Sequence, residues 1–597
     1  MRGSPTLWAL VGFALGTVAF LLFGILKARL GSRLDDPSPR PFLETALLPT
    51  SWWVIVWMVV LTLVAAPGND WNALAQTQFS GFGRGWPPYA DSTTGPVTGY
   101  WYGPVPLWLY LPSSWFDHPE TAIRVRVLLT LAWVWIPCGL AIRWMIPNPN
   151  RGVRFPSSLV MILIYWVLHE TTPTRLLATM SAIDGPGLGW SALACGALAR
   201  AIDTESTTHR RRGFEALAAF AAIAALGCKQ SLVFVPIGLV VWAVLVGSGH
   251  LARRLSLWLG LFASGFLVGT LSLATWEELR FNMIAIPGER PWSGATPFNL
   301  IQALTEWTGF TFPWLVAPLA FALAKWNTIE PGRWRSPATT LRQIARSSPW
   351  LLASALAVLG MPTAVMGRVI VGGDFNGMGP SVGLAMISLS SWLVSQALSN
   401  ESQAERPPNR SNFNPARAAL GIALALLLSR RTLVLLTSIP RVLGAEEPAV
   451  TQAWKVLRAE PGTVRFPWHP LAHLLAEGRP RHADYPLYDC ELIGQPLEPT
   501  RLRSDIPATV RFLALPSDRE ARFLDHRPEF QTYYLKTWRS WFPDEGAHPS
   551  LPGWRIHARA PVSREARARE ADNAPDTLKT PAEATNRPNA ASETAAP

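Results

Sequence analysis

The few acidic side chains next to apolar sequence are the first candidates for chemistry. Asp70 directly follows a long apolar run, and Asp91 lies further along the same polar stretch. A carboxylate at a water–lipid boundary can accept a proton, orient a hydroxyl group or bind a cation. The alternative for Asp70 is structural, because "NDWNALAQTQF" has the pattern of a helix N-cap followed by a short amphipathic helix. Position alone favours that structural role.

Three basic residues lie inside or beside apolar sequence. Lys229, in "GCKQSLVF", is flanked by apolar runs, where a cation is costly unless it meets a negative group such as a lipid phosphate. The alternative is a lysine that snorkels to the interface. Arg430 and Arg431 fall within "ALALLLSRRTLVLLTSI". A guanidinium can bind two phosphate oxygens, but neighbours on a helix point apart, so at most one would do so. Alternatively, the span ends near Ser429 and both lie at the surface.

The stretch around Asp70 and Asp91 is also rich in aromatic residues and proline, as in "GWPPYAD" and "YWYGPVPLWLYLP". Exposing the aromatic side chains of a stiff loop to water costs free energy unless they pack against another surface. Aromatic faces suit sugar rings, and they equally suit the membrane interface. Both roles stay open on composition alone.

The elements that must position these residues are membrane helices. Of 597 residues, 49% are hydrophobic and only 16% are charged, well below the roughly 25% of a soluble chain. Apolar blocks long enough to cross a bilayer recur through residue 438. The pattern predicts an all-α polytopic membrane bundle of about 12 transmembrane helices. The predicted spans are Leu7–Leu26, Ser51–Ala66, Val127–Ile146, Phe155–His169, Gly185–Ala201, Phe214–Gly227, Gln230–Gly247, Leu255–Thr275, Phe312–Ala324, Trp350–Met366, Gly379–Leu398 and Arg417–Ser438. The two spans around "GCKQSLVF" could instead form one bent helix.

Lys and Arg are concentrated in every second connection between these spans. Because basic loops stay in the cytoplasm, the segments 67–126 and 276–311 are predicted to lie outside it. Residues 439–562 then form a small extracytoplasmic α/β domain. Residues 563–597, without a large aromatic side chain, are predicted to be a disordered tail. The net charge of +12 is dispersed over short loops, so no nucleic-acid partner is predicted.

The order of motifs in 67–126 resembles the first outer loop of the GT-C superfamily of membrane glycosyltransferases. It shows a span, an Asp, a Gly-x-Pro-Tyr-x-Asp-like step and then Tyr-Gly-Pro-x-x-Pro-Leu. Within that superfamily it is similar to the dolichyl-phosphate-mannose protein mannosyltransferase and aminoarabinose transferase group. The resemblance implies that Asp70 is the base or acceptor-positioning carboxylate and that Asp91 is the later acidic residue. Tyr89 and Tyr102 then become substrate-binding candidates.

Three further segments match the group in order and side, and the resemblance spans about Ser51 to Leu398. "SAIDGPGLGW" supplies Asp184, "GCKQSLVF" supplies Lys229 and Gln230, and "VGGDFNGMG" supplies Asp374 and Asn376, all as substrate-binding residues. One departure is Trp71, since many protein mannosyltransferases carry Asp-Glu where this chain has Asp70-Trp71.

No cofactor is predicted. The pair His469 and His473 lacks a third ligand, so the residues leave a divalent cation open without indicating one. The four cysteines have no paired spacing and suggest no disulfide framework.

The expected function is transfer of a sugar from a polyprenyl-phosphate donor to a lipid, glycan or protein acceptor on the extracytoplasmic side of a bacterial inner membrane. Asp70 would orient and partly deprotonate the acceptor, and Lys229 would hold the donor phosphate. Two alternatives stay open: a transporter or lipid flippase, and a catalytically inactive assembly protein of GT-C shape. A transporter predicts an internal repeat, which the sequence does not show.

Overall fold

A computed structural model describes most of the chain between Leu48 and Arg559. The described ranges are 48–91, 93–146, 171–179, 183–202, 208–246, 249–291, 297–328, 337–370, 373, 375–399, 429–430, 432–515, 533–546, 548, 551 and 554–559. The predicted tail, 563–597, and the predicted spans Leu7–Leu26 and Phe155–His169 lie outside these residues.

Six helices in the described ranges are long and apolar enough to cross a membrane. They are Pro49–Gly68, Pro119–Met145, Gly249–Leu271, Pro297–Trp326, Leu351–Val369 and Phe375–Gln396. A helix satisfies its backbone hydrogen bonds internally, which a segment surrounded by lipid requires. These helices define an integral membrane protein that is mostly α-helical, as the sequence predicts.

Two helices buried against their neighbours form the centre of the bundle. Asp184–Ile202 packs against Thr208–Cys228 and Pro119–Met145. Small residues let these backbones approach closely, and nearly every residue of Asp184–Ile202 is buried. They correspond to the predicted spans Gly185–Ala201 and Phe214–Gly227, but neither is among the six helices with sufficient apolar length.

Some predicted boundaries are wrong. The helix predicted as Phe312–Ala324 runs from Pro297 to Thr328, and Pro313 and Pro318 lie inside it. Proline is tolerated inside a membrane helix, where neighbouring groups satisfy the freed carbonyls. Much of the predicted loop 276–311 is therefore helical.

The chain breaks at Lys229 and does not continue as one bent helix. Lys229 has an extended backbone (φ −150°, ψ 131°) between the helix Thr208–Cys228 and the 3₁₀ turn Gln230–Val233. The next helix, Phe234–Leu245, is a short apolar one. The last predicted span, Arg417–Ser438, begins outside the described residues, and its end belongs to the short helix Thr432–Leu443.

The connections between these helices contain further short elements. The α-helices are Asp70–Gly83, Val105–Leu109, Thr172–Thr179, Trp276–Leu279, Ile286–Glu289 and Pro337–Ser347. The 3₁₀ turns are Ala66–Gly68, Leu111–Trp115 and Phe375–Met378, and Arg280–Ala285 is a π-helical turn. Three of the six membrane spans are longer than their α-helical parts or contain two of them. These α-helices are Leu48–Ala65, Leu351–Leu359, Met361–Val369 and Gly379–Ser399.

The C-terminal part is a small α/β domain built on a four-stranded sheet. The strands are β1 (Val464–Arg465), β2 (Phe512–Leu515), β3 (Asp544–Gly546) and β4 (Arg555–Ala558), in the order β1-β2-β4-β3. β1 is parallel to β2, and β4 is antiparallel to both β2 and β3, with Leu513 opposite His557. The surrounding helices are Ala449–Ala459, Pro470–Glu477, Asp484–Leu492, Pro499–Ser504 and Tyr533–Trp541.

The core of this domain continues into the segments that connect the membrane helices. One buried cluster joins Val97 and Trp101 to Leu487 and Leu513. A second joins Ala73 to Leu471 and Ile556. The domain and the 67–126 segment are therefore packed as one unit, which fixes the position of the residues described next.

Candidate functional site

Asp70 is the first residue of the helix Asp70–Gly83, but it is not the residue that caps it. Asn69 is the N-cap, and its side-chain oxygen accepts a hydrogen bond from the backbone N–H of Asn72 at 3.4 Å. The Asn72 side chain in turn donates to the Ala66 carbonyl at 2.9 Å and accepts from the buried Arg126. The predicted helix is therefore present, but its cap is Asn69, so the capping role considered for Asp70 is wrong.

The C-terminal domain covers this helix end. Nδ1 of His469 lies 4.0 Å from Oδ1 of Asp70, whose side chain is 34% exposed. The Trp71 ring meets the Tyr485 ring edge-on, with centroids 4.6 Å apart. Asp70 is therefore partly exposed where the membrane part of the chain meets the C-terminal domain.

The aromatic side chains on both sides of Asp91 pack against one another. The Tyr89 hydroxyl donates to the Tyr102 carbonyl at 2.9 Å, and the Tyr100 hydroxyl donates to the Gly103 carbonyl at 2.6 Å. Burial raises the pKa of Tyr89 well above its usual value, so its hydroxyl stays protonated. Tyr89 is 1% exposed, so it supports the loop from within and offers no open face to a sugar.

Gly103 lets this loop touch the end of a central helix. A Cβ at Gly103 would lie 2.1 Å from the carbonyl oxygen of Gly227. No side chain fits at that distance, so the Tyr-Gly-Pro motif requires glycine here. The contact holds Tyr102 beside the chain break at Lys229.

Lys229 forms a buried ion pair with Asp184. Its Nζ lies 2.6 Å from Asp184 Oδ1, and the two side chains are 18% and 3% exposed. The Asn376 side-chain amide donates to Asp184 Oδ2 at 3.3 Å, and Lys229 Nζ lies 6.0 Å from the centre of the Tyr102 ring. The structure thus brings together four residues that the sequence predicted separately, from four different segments.

Gln230 fastens the neighbouring segments to the same place. Its side-chain amide donates to the carbonyls of Trp101 at 3.0 Å and Met283 at 3.2 Å. Gln230 therefore joins the aromatic loop to the segment 276–291, and its side-chain N–H groups are used in these two contacts. Its observed role is to position the loop around Lys229.

A second ion pair, between Arg290 and Asp489, was missed by the sequence reasoning. The Arg290 guanidinium bonds to Asp489, and the Trp101 indole N–H donates to the same carboxylate oxygen at 2.8 Å. Burial raises the pKa of Asp489 to about 6, although the Arg290 charge and these hydrogen bonds act to lower it. Nothing in the sequence links Arg290 to Asp489, because they are far apart in the chain and belong to no recognised motif.

The other predicted site residues take different positions. The Asp91 carboxylate organises its own turn, accepting from Thr93 N–H at 2.8 Å and from the Thr94 hydroxyl at 2.7 Å, and these bonds lower its pKa. Arg430 is exposed at the start of the last membrane-side helix. Asp374 and Arg431 lie outside the described residues.

In the part of the chain that the structure describes, no three His, Cys, Asp or Glu side chains are grouped so that they could hold a metal ion. Both nitrogens of His473 are used within the protein. Nε2 accepts from Phe466 N–H at 3.0 Å, and Nδ1 lies 3.2 Å from Glu477 Oε2. All four cysteines are buried free thiols.

Two solved structures are similar to this chain over most of its length. ArnT from Cupriavidus metallidurans, bound to undecaprenyl phosphate, has a TM-score of 0.48 and 14% identity, covering 86% of this chain and 99% of that protein. The archaeal oligosaccharyltransferase AglB from Archaeoglobus fulgidus, in complex with an inhibitory peptide and a dolichol-phosphate, has a TM-score of 0.40 and 10% identity. That match covers 78% of this chain and 69% of AglB.

Both of these solved structures are of GT-C glycosyltransferases, and ArnT is an aminoarabinose transferase. No family model and no curated protein matches the chain. Similarity at these TM-scores and identities does not assign an activity to this chain.

Proposed function

We propose that this chain is a membrane glycosyltransferase that moves a sugar from a polyprenyl-phosphate donor to an acceptor on the extracytoplasmic side. The observation that carries the proposal is a carboxylate, Asp70, placed at a helix start without being used as its cap. It lies beside the C-terminal domain, whose Asp489 also pairs with Arg290. A base and a phosphate-binding region are the two parts that such a transfer requires.

The phosphate-binding region is formed by Lys229 and Arg290. Each cation is oriented by a buried carboxylate, Asp184 and Asp489 respectively. Tyr102 lies beside the first pair, with Lys229 Nζ 6.0 Å from the centre of its ring. Fixed cations stabilise the charge that collects on the leaving phosphate without reorganising during the reaction. Arg430 and Arg431 stay predicted phosphate contacts that no observed geometry supports.

One helix of the soluble domain, Asp484–Leu492, connects the base to the cations. Its Tyr485 contacts the Trp71 ring next to Asp70, and its Asp489 bonds to Arg290 and Trp101. The Trp101 carbonyl accepts from Gln230, the neighbour of Lys229. This continuous set of contacts supports one site at the boundary between the membrane helices and the soluble domain.

The reaction proceeds in one step at the anomeric carbon. Asp70 takes the proton of the acceptor hydroxyl or amine while that atom forms its bond to the anomeric carbon. The bond from this carbon to the phosphate oxygen breaks, and its electron pair stays on the phosphate beside Lys229 and Arg290. Inversion at the anomeric carbon follows from a single displacement and is what the family resemblance implies.

The proposal is tested with purified full-length protein in nanodiscs and a panel of radiolabelled undecaprenyl-phosphate sugars. Membrane lipids, glycans and peptides from the same cells serve as acceptors. Transfer of label from one donor to an acceptor is the expected result. Binding of undecaprenyl phosphate without transfer from any donor would contradict a transferase. Movement of the labelled donor between leaflets without transfer would identify a flippase instead.

A further inference from the structure

His469 is a fully buried histidine whose ring is not used by the rest of the domain. It is 0% exposed, and neither ring nitrogen has a hydrogen-bond partner among the described residues. Its ring packs edge-on against Trp554, with centroids 5.5 Å apart, and Nδ1 points toward Asp70 Oδ1 at 4.0 Å. A buried polar group without a partner is costly, so its retention at this place needs an explanation.

The local structure does not supply that explanation. His469 occupies the N-cap position of the helix Pro470–Glu477, but its side chain makes no capping hydrogen bond. Two other buried histidines of the domain are engaged with backbone groups: His473 accepts from Phe466 N–H, and His482 accepts from Val97 N–H at 2.9 Å. His469 differs from them because the charged group beside its ring, Asp70, belongs to the membrane part of the chain.

The surroundings of His469 also determine its charge and its tautomer. Burial lowers the pKa of His469, while Asp70 acts to raise it, so the ring is neutral at pH 7. A neutral ring carries one N–H, and an unsatisfied buried donor costs more than an unused lone pair. Asp70 is the nearby acceptor, which places the proton on Nδ1.

We infer that His469 is a positioning residue for Asp70: its Nδ1–H holds one carboxylate oxygen so that the other faces the acceptor. The inference deepens the proposed function and depends on Asp70 being the base. The observed 4.0 Å is longer than a hydrogen bond of about 2.9 Å, so the inference requires the partly exposed Asp70 side chain to move toward His469. The soluble domain thereby completes the site, and without it Asp70 would be a freely rotating carboxylate.

Substitution of His469 separates this role from simple packing. His469→Phe keeps a ring against Trp554 and removes the donor, whereas His469→Asn places an amide N–H near the position of Nδ1. We expect His469→Phe to lower kcat about 10- to 100-fold with little change in KM, since misplacing a reacting group by about 1 Å has an effect of that size. His469→Asn should recover most of the lost rate.

A double-variant cycle tests whether His469 acts through Asp70. If it does, Asp70→Asn with His469→Phe is no slower than Asp70→Asn alone, because the positioning of an absent base has no effect. If the rate reductions of the two single substitutions multiply in the double variant, the inference is overturned and His469 has only a structural role. The thermal stability of each variant is measured beside its rate, and His469→Asn serves as the folded comparison if His469→Phe is unstable.

The tautomer gives a readout that needs no activity. With ¹⁵N-histidine labelling in nanodiscs, the signal lost in His469→Asn should show a protonated Nδ1 and an unprotonated Nε2, and it should shift in Asp70→Asn. Protonation on Nε2 would overturn the inference even in an active enzyme. If Asp70→Asn were fully active, both the catalytic role of Asp70 and the inference would fail. If Asp70→Asn were inactive and His469→Phe fully active, only the inference would fail.

Discussion

Lys229 Nζ and Asp184 Oδ1 lie 2.6 Å apart, and this ion pair joins the start of one central helix to the end of another. Asp184 begins the helix Asp184–Ile202, and Lys229 follows the end of Thr208–Cys228. The pair therefore fixes the lysine at the chain break between Thr208–Cys228 and the 3₁₀ turn Gln230–Val233. A cation held in this way by a neighbouring carboxylate is oriented before any ligand arrives, which reduces the reorganisation that phosphate binding requires.

Removal of Lys229 is expected to affect both stability and ligand binding. Lys229→Ala removes the cation that pairs with the buried Asp184 carboxylate, and removal of one partner of a buried pair costs about 3–5 kcal/mol. It should also weaken binding of undecaprenyl phosphate, whereas Lys229→Arg should retain part of the affinity. Thermal unfolding and a binding titration in nanodiscs measure the two effects separately.

The matched control replaces both partners. Lys229→Met with Asp184→Asn removes both charges and keeps the side-chain volumes, so most of the stability should return. Binding of undecaprenyl phosphate should stay weak. A double variant that binds the lipid phosphate as tightly as the parent would show that Lys229 is only a structural partner of Asp184.

Acidification is expected to loosen the contact between the soluble domain and the aromatic loop. Burial lowers the pKa of His482 to about 4, and its Nδ1 lone pair accepts from Val97 N–H. The unfolded chain, with a histidine pKa of about 6.5, then binds more protons between pH 6.5 and 4. Stability from His482 is present above pH 6.5 and is lost as the pH falls, by at most about 1.4 kcal/mol per pH unit.

This pH effect is measured as a difference between variants, because buried Asp484, whose pKa is raised to about 7, contributes with the opposite sign. Denaturant unfolding of the parent and of His482→Asn at pH 7 and pH 5 provides the comparison. The parent should lose more stability than the variant, whose neutral amide can accept from Val97 at both pH values. An equal loss in the two proteins would contradict the assignment.

The close approach of Gly103 to Gly227 predicts that a single added methyl group strongly lowers the stability of the protein. Gly103→Ala places Cβ 2.1 Å from the Gly227 carbonyl oxygen, so the loop has to move away from the helix end. Thermal stability should fall. Gly213→Ala is the control, since Gly213 lies in the same helix as Gly227 with no atom near its Cβ position. It should be neutral or slightly stabilising. Equal stability of the two variants would contradict the contact.

The orientation of the chain can be tested with thiol labelling. The four native cysteines are buried, so the parent should react little with a membrane-impermeant reagent. Cysteines introduced at the exposed positions Asp117 and Ser504 should react in spheroplasts, whereas one at His209 should react only after lysis. Labelling of His209→Cys but not of the other two in intact spheroplasts would reverse the predicted topology.

The sequence predicted membrane helices well where they are long and uniformly apolar. It placed the first described span at Ser51–Ala66, and the structure has Leu48–Ala65. The prediction failed where the apolar pattern is interrupted. The helix that begins at Pro297 was predicted only from Phe312, because polar residues precede that position and Pro313 and Pro318 follow it. Boundaries of this kind depend on neighbouring helices that satisfy the backbone, which no local pattern records.

Family-like motifs located Asp184, Lys229 and Asn376, but only the fold shows that they bond to one another. Arg290 and Asp489 could not have been found in this way, and His469 was noted only as one of a histidine pair. Their partners come from segments distant in sequence, and each residue alone looks like an ordinary loop or domain residue. The sequence located the start of the helix after the first described span, but only the bond from Asn72 N–H assigns its cap to Asn69 and not to Asp70.

The most direct measurement of the central claim is the transfer rate of Asp70→Asn relative to the parent. Because Asn69 provides the cap, Asp70→Asn should leave the helix and its thermal stability nearly unchanged. Affinity for the undecaprenyl-phosphate sugar should also be retained, while kcat falls about 10²- to 10⁴-fold through loss of the base. Asp91→Asn, whose carboxylate serves its own turn, is the matched control and should cost less. Full activity of a folded, donor-binding Asp70→Asn protein would contradict the account.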